Sequence, residues 1–514
     1  MIDEKPKSIQ PPTNSLKKNV AANFVGTFWQ AFINLAFIPI YINYLGIESY
    51  GLIGIFSTLQ VVFGLLDVGL GSTLTREIAR LSVLPNKEQE TRNLVRTLET
   101  VYWGIAVFAG LIIVLLSPFI AHHWIKPGEL SPQVIEQAIL LMGFITIFQM
   151  PAGFYSGGLM GLQKQVLLNV VNICVSTLRS GGAILVLWLI SPTIQTFLLW
   201  QIVGGILNTF LFALFLWRNL PRSEHKAEIQ LQLFKNIWRF TAGMSGISVL
   251  AVILTQVDKV ILSKLLSLEM FGYYSLASLV AMSLGRIFTP IFFSIYPKFT
   301  QLVSVNNLDE LKILYHKSCQ FIAAITLPIA IVIAFFSYEL IFLWTQNAIT
   351  AEKTHLIISI MICGTALNGL MNAPYALQLA FGWTKLPFYV NLVSVILFIP
   401  LIISLVSFFG AVGGAVAWFV LNLGYIIFWI PIMHKRLLPK EKWQWYWNDV
   451  GVPILVSLLL AGLGRLFFSR SESHFINVLN LGFIALGTLG ITLLSVPKIR
   501  TILLLQFAKI KLRF

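Results

Sequence analysis

Charge is scarce in this sequence. Lys, Arg, Asp and Glu supply 11% of its 514 residues, against about 25% in an ordinary soluble domain. That excludes a string of soluble globular domains. Cysteine is nearly absent. Cys174, Cys319 and Cys363 lie in apolar runs without C-x-x-C spacing, which excludes a disulfide or zinc framework. No G-x-x-x-x-G-K-[ST] occurs, which excludes that kind of ATP site. His122 and His123 are adjacent rather than four apart on a helix with a Glu, so no metal site is expected, and no cofactor. Acids are outnumbered, 21 against 36 bases, for a net charge of +15.

What is abundant is hydrophobic residues, at 57%. Apolar runs of about 20 residues, enough to span a bilayer, recur at 20–44, 50–74, 97–118, 134–156, 165–190, 193–217 and 237–262. They continue at 271–296, 313–341, 354–381, 386–408, 411–433, 449–468 and 475–496. The expected fold is therefore an all-α polytopic membrane protein with 14 transmembrane helices. The divisions at Ser191–Thr193 and Phe409–Gly410 rest on turn residues alone. With the N-terminus cytoplasmic, only Lys126, Lys264, Lys353, Arg465 and Arg470 lie on the outer side, and Arg179, Lys259 and Arg286 lie within spans. All other bases fall on the inner side, as the positive-inside rule requires. The surplus thus faces the anionic inner leaflet of a cell membrane, and no nucleic acid is needed to explain it. The polar start, Met1–Lys18, leads straight into a full-length span and reads as no cleavable signal peptide. The tail Val496–Phe514 alternates bases with Leu, Ile and Phe, which suits a surface helix or a frayed basic end.

Three anchors repeat in order. Leu45-Gly-Ile-Glu-Ser-Tyr-Gly51 matches Leu266-Ser-Leu-Glu-Met-Phe-Gly272, and Gly161-Leu-Gln-Lys164 matches Gly382-Trp-Thr-Lys385, both at an offset of 221. Arg218-Asn-Leu-Pro221 matches Arg436-Leu-Leu-Pro439 at 218. The repeating unit holds six spans, so both copies enter the membrane in the same sense. This predicts two parallel six-helix lobes, 20–217 and 237–433, plus two C-terminal helices, 449–496. Around them lie a tail (1–19), linkers at 218–236 and 434–448, and a basic tail at 497–514. No connecting segment much exceeds twenty residues, so any activity belongs to the bundle.

Charged residues inside spans are functional candidates by default. Arg179 and Arg286 lie near mid-depth, where a guanidinium suits bidentate recognition of phosphate or carboxylate; a structural ion pair is the bland alternative. Asp67, beside Gly69 and Gly71 toward the inner end of its span, is a candidate coupling or gating group. So are Asp258 and Lys259, near the outer end of theirs. Asn23, Thr27, Gln30, Asn34 and Tyr41 share one helical stripe, as do Thr241, Ser245, Ser248 and Thr255 in the equivalent span. Such stripes line a wet cavity or bind helices together; Gln30 and Asn34 are taken as cavity residues. Asn368 and Asn372 make a similar face. Prolines at 39, 151, 290, 328, 374 and 400 predict bent spans.

The segment Tyr41–Leu81, with Leu-Gly-Ile-Glu-Ser-Tyr-Gly and then Leu66-Asp-Val-Gly-Leu-Gly-Ser-Thr-Leu-Thr-Arg76, resembles the Wzx-type polysaccharide and O-antigen flippases. Gln256-Val-Asp-Lys-Val-Ile-Leu-Ser-Lys264, Gly272-Tyr-Tyr and Tyr296-Pro-Lys-Phe299 resemble their second half. These flippases belong to the multidrug/oligosaccharidyl-lipid/polysaccharide exporter superfamily. The resemblance implies a non-enzymatic transporter of the inner membrane with both termini cytoplasmic. It would move a polyprenyl-diphosphate-linked glycan to the outer leaflet by alternating access, coupled to Na+ or H+. Membrane lipids and a glycan polymerase are the implied partners. The two arginines are chosen by depth, not carried over from relatives. The competing readings are a multidrug or small-cation antiporter of the same superfamily and an integral membrane glycan polymerase or ligase. The first would favour carboxylates in the cavity; the second ordinarily needs a sizeable outer loop with acid–base residues.

Overall fold

The structure is a computed structural model that describes residues 13–67, 70–82, 84–230, 245–497 and 499–500. Among them the architecture is helical, with no strand beyond one isolated bridge. The helices track the apolar runs because a backbone in hydrocarbon must satisfy its N–H and C=O groups within its own segment. Among the described residues eleven helices are long and apolar enough to cross a membrane. Two helical stretches conceal turns. Ile38–Gly64 breaks at Gly46 (φ 78°, ψ 162°) and Lys385–Gly424 at Gly410 (φ 57°, ψ −137°). Both backbones lie where an L side chain is strained, so glycine is required. Both turns fall where consecutive apolar runs meet.

In order, the helices are α1 (Thr13–Ala36), α2 (Ile38–Gly64), α3 (Leu70–Leu81), α4 (Glu88–Phe119), α5 (Pro132–Gly161), α6 (Gln165–Leu189) and α7 (Ile194–Asn219). Then come α8 (Ser245–Leu265), α9 (Leu268–Ser283), α10 (Gly285–Ser304), α11 (Leu308–Phe335), α12 (Ser337–Thr345), α13 (Ala348–Leu370) and α14 (Asn372–Ala380). The last are α15 (Lys385–Gly424), α16 (Ile430–Leu437), α17 (Val452–Phe467) and α18 (His474–Ser495). Pro151, Pro328 and Pro400 sit inside helices without ending them.

The chain forms two compact units: residues 1–256 with 267–269, and residues 257–266 with 270–514. In the first unit the core joins Leu70, Leu74 and Ile78 of α3 to Leu98 and Tyr102 of α4, Phe154 of α5 and Phe212 of α7. α3 approaches α5 closely: Thr75 donates to the Gly157 carbonyl at 2.8 Å, and a Cβ on Gly157 would lie 2.6 Å from the Gly71 oxygen. After α7 the chain returns along α4. Gln89, Asn93 and Thr97, four apart on one face, bond in turn to the Lys226 carbonyl, the Glu228 N–H and the Gln230 N–H at 2.9 Å each. This strap gives an extended backbone the partners that a helix would have supplied itself.

Some element bounds of the two units share a spacing. α4 starts two residues after Asn86 (φ 57°) and α11 two residues after Asn306 (φ 54°). α6 starts at Gln165 and α15 at Lys385. The turn at Gly410 stands where residues 190–193 separate α6 from α7.

Candidate functional site: an interior cation in the first unit

Arg179 is the fifteenth residue of α6, about 21 Å from its start at 1.5 Å per residue. Its side chain is half-buried. Nε and Nη2 donate to Gln201 Oε1 at 3.0 and 2.6 Å, and Nη2 donates to Gln149 Oε1 at 3.3 Å. Gln149 belongs to α5 and Gln201, which is buried, to α7, so three consecutive helices fix one guanidinium. Among the described residues Arg179 forms no ion pair, and its Nη1 edge makes no hydrogen bond.

Two amide oxygens can aim a guanidinium, but they bring no negative charge. A cation withdrawn from water loses several kcal/mol of solvation, by order of magnitude, unless an anion compensates. The free Nη1 edge is one side of the donor fork that matches phosphate or carboxylate. The site is therefore shaped to accept an anion.

Small residues make room for it. A Cβ on Gly204 would sit 2.4 Å from Arg179 Cγ, and one on Gly182 would sit 2.2 Å from the Trp200 ring. The Trp200 indole donates to the Arg179 carbonyl and the Tyr41 hydroxyl to the Ser180 carbonyl, each at 3.0 Å. These bonds hold the α6 backbone on both sides of the cation.

The polar stripe of α1 divides in two. Asn23 accepts from Asn169 at 2.6 Å, and Tyr41 reaches Ser180, so both bind α1 to α6. Gln30 is half-buried, Thr27 and Asn34 are exposed, and none of these three has a hydrogen bond among the described residues. Thr241 and the side chains of Ser245 and Ser248 lie outside the described residues, as does Gly69. Asn368 donates to Asn422 at 2.8 Å, which binds α13 to α15, and Asn372 donates to the Gly369 carbonyl at 3.0 Å, a local bond across the break between α13 and α14.

The other charged candidates are dispersed. Asp67 ends the 3-10 turn after α2 and accepts from the Gly71 N–H at 3.2 Å, with the Tyr102 hydroxyl also bonded to it. It has no basic partner among the described residues. Asp258 is 2% exposed, accepts from the Tyr274 hydroxyl at 2.7 Å and pairs with Lys259 at 3.5 Å. Arg286, second residue of α10, is exposed and forms no hydrogen bond or ion pair among the described residues. Arg179 and Asp67 fall in the first unit, and Asp258, Lys259 and Arg286 in the second.

Basic clusters mark the ends of α3 and α4. Arg76 and Arg80 flank Glu77 at 2.7 and 2.8 Å. Burial pushes the Glu77 carboxyl up, but the hydrogen bonds and charges of the two arginines outweigh it and hold it below its ordinary value. Glu99 takes Arg96 at 2.9 Å, the Tyr155 hydroxyl at 2.6 Å and the Trp217 indole at 3.2 Å.

Gln149 and Gln201 are the site residues that sequence reasoning missed. Their only signal was an amide inside an apolar run.

These features define a multi-spanning α-helical membrane protein whose first unit holds, among the described residues, a half-buried cation without an ion pair. The chain belongs to the polysaccharide biosynthesis protein family, whose model matches residues 16–303. The MatE family model matches residues 244–403. A putative O-antigen transporter of Shigella flexneri is 21% identical over 405 residues, 79% of this chain and 94% of that protein. The lipopolysaccharide biosynthesis protein WzxC of Escherichia coli (strain K12) is 24% identical over 419 residues, 77% and 78% of the respective chains. Among solved structures, the lipid II flippase MurJ in an inward closed conformation superposes with a TM-score of 0.66 at 17% identity, covering 92% of this chain and 98% of that one. At that identity the likeness is one of fold.

Proposed function

We propose that the protein is a flippase that carries a polyprenyl-diphosphate-linked oligosaccharide from the inner to the outer leaflet of the cell membrane. The observation that carries this reading is the Arg179 guanidinium, aimed by Gln149 and Gln201, with no carboxylate paired to it among the described residues. A diphosphate is the part of such a cargo that hydrocarbon excludes, and a bidentate cation at mid-depth offsets that cost. Membership of the polysaccharide biosynthesis family and the names of the two relatives support the glycan. Arg286 is a second candidate for anion recognition, with Gln30 and Asn34 as cavity residues.

In this reading fourteen spans form two six-helix lobes, 20–217 and 237–433, followed by spans thirteen and fourteen. The inner ends carry the bases and both termini are cytoplasmic. Transport draws on a Na+ or H+ gradient rather than on ATP. Asp67 is the better coupling candidate, since Asp258 already has Tyr274 and Lys259. A cation antiporter is disfavoured because the interior site of the first unit is itself cationic.

The test is glycan export in cells lacking the protein. Those cells should accumulate the polyprenyl-diphosphate precursor, read by mass spectrometry. Arg179→Gln should insert normally yet restore about a tenth of export or less, since losing one desolvated charge contact costs about 2–5 kcal/mol. Arg286→Ala should behave likewise. Full export by Arg179→Gln would remove the anion site from the mechanism.

A further inference from the structure

The anchors Arg218–Pro221 and Arg436–Pro439 are followed by segments of different chemistry. After the first, residues 222–230 contain no Phe, Tyr or Trp, and their backbone bonds to Gln89, Asn93 and Thr97 of α4. After the second, residues 440–447 read Lys-Glu-Lys-Trp-Gln-Trp-Tyr-Trp. Residues 218–230 hold three bases against two acids, and residues 435–447 hold four bases against one acid.

The second segment has two unlike sides. Trp445 is fully buried, and the Tyr446 hydroxyl donates to the Ile426 carbonyl at 2.6 Å, so one side is seated on the protein. Trp443 and Trp447, about one helical turn apart, are 63% and 64% exposed. Lys435 and Lys440 are exposed too, and Lys442 Nζ lies 4.7 Å from the centre of the Trp443 ring. The single acid, Glu441, is turned to α11, its carboxylate 3.2 Å from His316 Nε2. The open side is therefore aromatic and cationic.

Only four residues separate the apolar stretches Lys385–Leu437 and Lys442–Phe467. The exposed indoles thus stand where membrane-spanning helices end. Indole suits that boundary, because an apolar ring carries one N–H for the headgroup region. Bases beside it meet lipid phosphate. Lys440 adds a separate observation. Among the described residues, five non-glycine residues have positive φ: Asn86, Gln163, Asn306, Gln346 and Lys440, the last at φ 80°. The first four carry amide side chains. A lysine at such a φ bears strain that glycine would not. Strain kept at an exposed cation points to a use for the charge.

We infer that Trp443 and Trp447, with Lys435, Lys440 and Lys442, form a binding face for an anionic phospholipid of the phosphatidylglycerol class. The indoles lie among the upper acyl chains and the ammonium groups on the phosphate. A protein partner would have to displace headgroups from the same level. This contact needs no cargo and stands apart from the flippase reading.

The test places the full-length protein in nanodiscs of equal parts phosphatidylglycerol and phosphatidylcholine. One preparation carries bromine near the glycerol end of the phosphatidylglycerol chains, the other on those of phosphatidylcholine. Bromine quenches indole fluorescence on contact. Subtracting the signal of Trp443→Phe/Trp447→Phe in each background isolates these two of the 14 tryptophans. Both lipids should quench them, brominated phosphatidylglycerol about twofold more. Lys435→Gln/Lys440→Gln/Lys442→Gln should lose that excess yet keep the quenching by brominated phosphatidylcholine, which shows the segment still seated. Lys440→Gly should lower the excess while unfolding at the same or a higher temperature, since glycine relieves the strain. A lysine kept for shape alone would not move the lipid preference. No quenching by either lipid would mean that water or a protein partner covers this face, and would overturn the proposal. So would equal quenching by both lipids in wild type, which is membrane contact without selection of charge.

Discussion

Arg179 depends on a neighbour that has no side chain. Gly204→Ala would place a Cβ 2.4 Å from Arg179 Cγ, so the guanidinium would have to withdraw from Gln201. Overpacking of this kind costs about 1–3 kcal/mol. Both export and thermal stability should fall. Gly181→Ala, two residues after the same arginine, is the matched control: its Cβ meets nothing within 4 Å. It should export normally and unfold at the same temperature or slightly higher, because alanine is the better helix former by about 1 kcal/mol. Equal export by the two variants would detach Gly204 from the anion site. A second prediction at this scale concerns Glu77. Its carboxyl is held below its ordinary value by Arg76 and Arg80, against the opposing effect of burial. The stabilisation is therefore complete above the unfolded carboxylate value and is lost as pH falls through the folded one. Thermal unfolding of wild type and Glu77→Gln should differ at neutral pH and converge in acid. A gap that persists in acid would show that shape, not charge, is what Glu77 contributes.

Elements are where sequence reasoning succeeded unevenly. Helices were legible because hydrocarbon leaves the backbone no other partner. Gly46 and Gly410 show the limit of helix bounds alone: each turns the chain so tightly that helical bonding resumes at once. Arg179 was legible because a lone cation in an apolar run is conspicuous. Gln149 and Gln201 were not, since an amide in such a run looks like ordinary interhelical bonding until three helices meet. For Asp258 the spacing within one span hid its hydroxyl partner, because Tyr274 lies on the next helix. Glu48 was read only as part of a repeat anchor. It accepts three backbone N–H groups, from Gly128, Glu129 and Leu130 at 2.7, 2.8 and 3.2 Å, and pins the loop between α4 and α5. The strap on α4 was invisible for the same reason: it depends on backbone groups, and every sequence has those. Its importance is testable. Asn93→Ala with Thr97→Val removes the acceptors for Glu228 and Gln230 N–H. Each lost bond costs about 1 kcal/mol. Limited proteolysis between residues 221 and 230 should accelerate several-fold while the helices stay protected. An unchanged cleavage rate would mean that the strap is held from elsewhere.

At the scale of the molecule, the distribution of bases and the repeat make one joint demand. Under the proposed count, six spans per copy and two more at the end make an even total, so the two termini would share a side of the membrane. An odd total would put them on opposite sides and scatter the bases over both faces, against the positive-inside rule. The native cysteines are only Cys174, Cys319 and Cys363, so a cysteine-free protein is within reach for labelling. Single cysteines at positions 8 and 507 should react with a membrane-impermeant maleimide only in inside-out vesicles. Cysteines at 126 and 470 should react only in right-side-out ones. A cysteine at 191 tests the least marked division: it should label from outside, because residues 190–193 separate α6 from α7. Labelling of 8 and 507 from opposite sides would break the count of spans. It would also undo the assignment of the basic ends of α3 and α4 to the face where an anionic lipid-linked precursor is gathered.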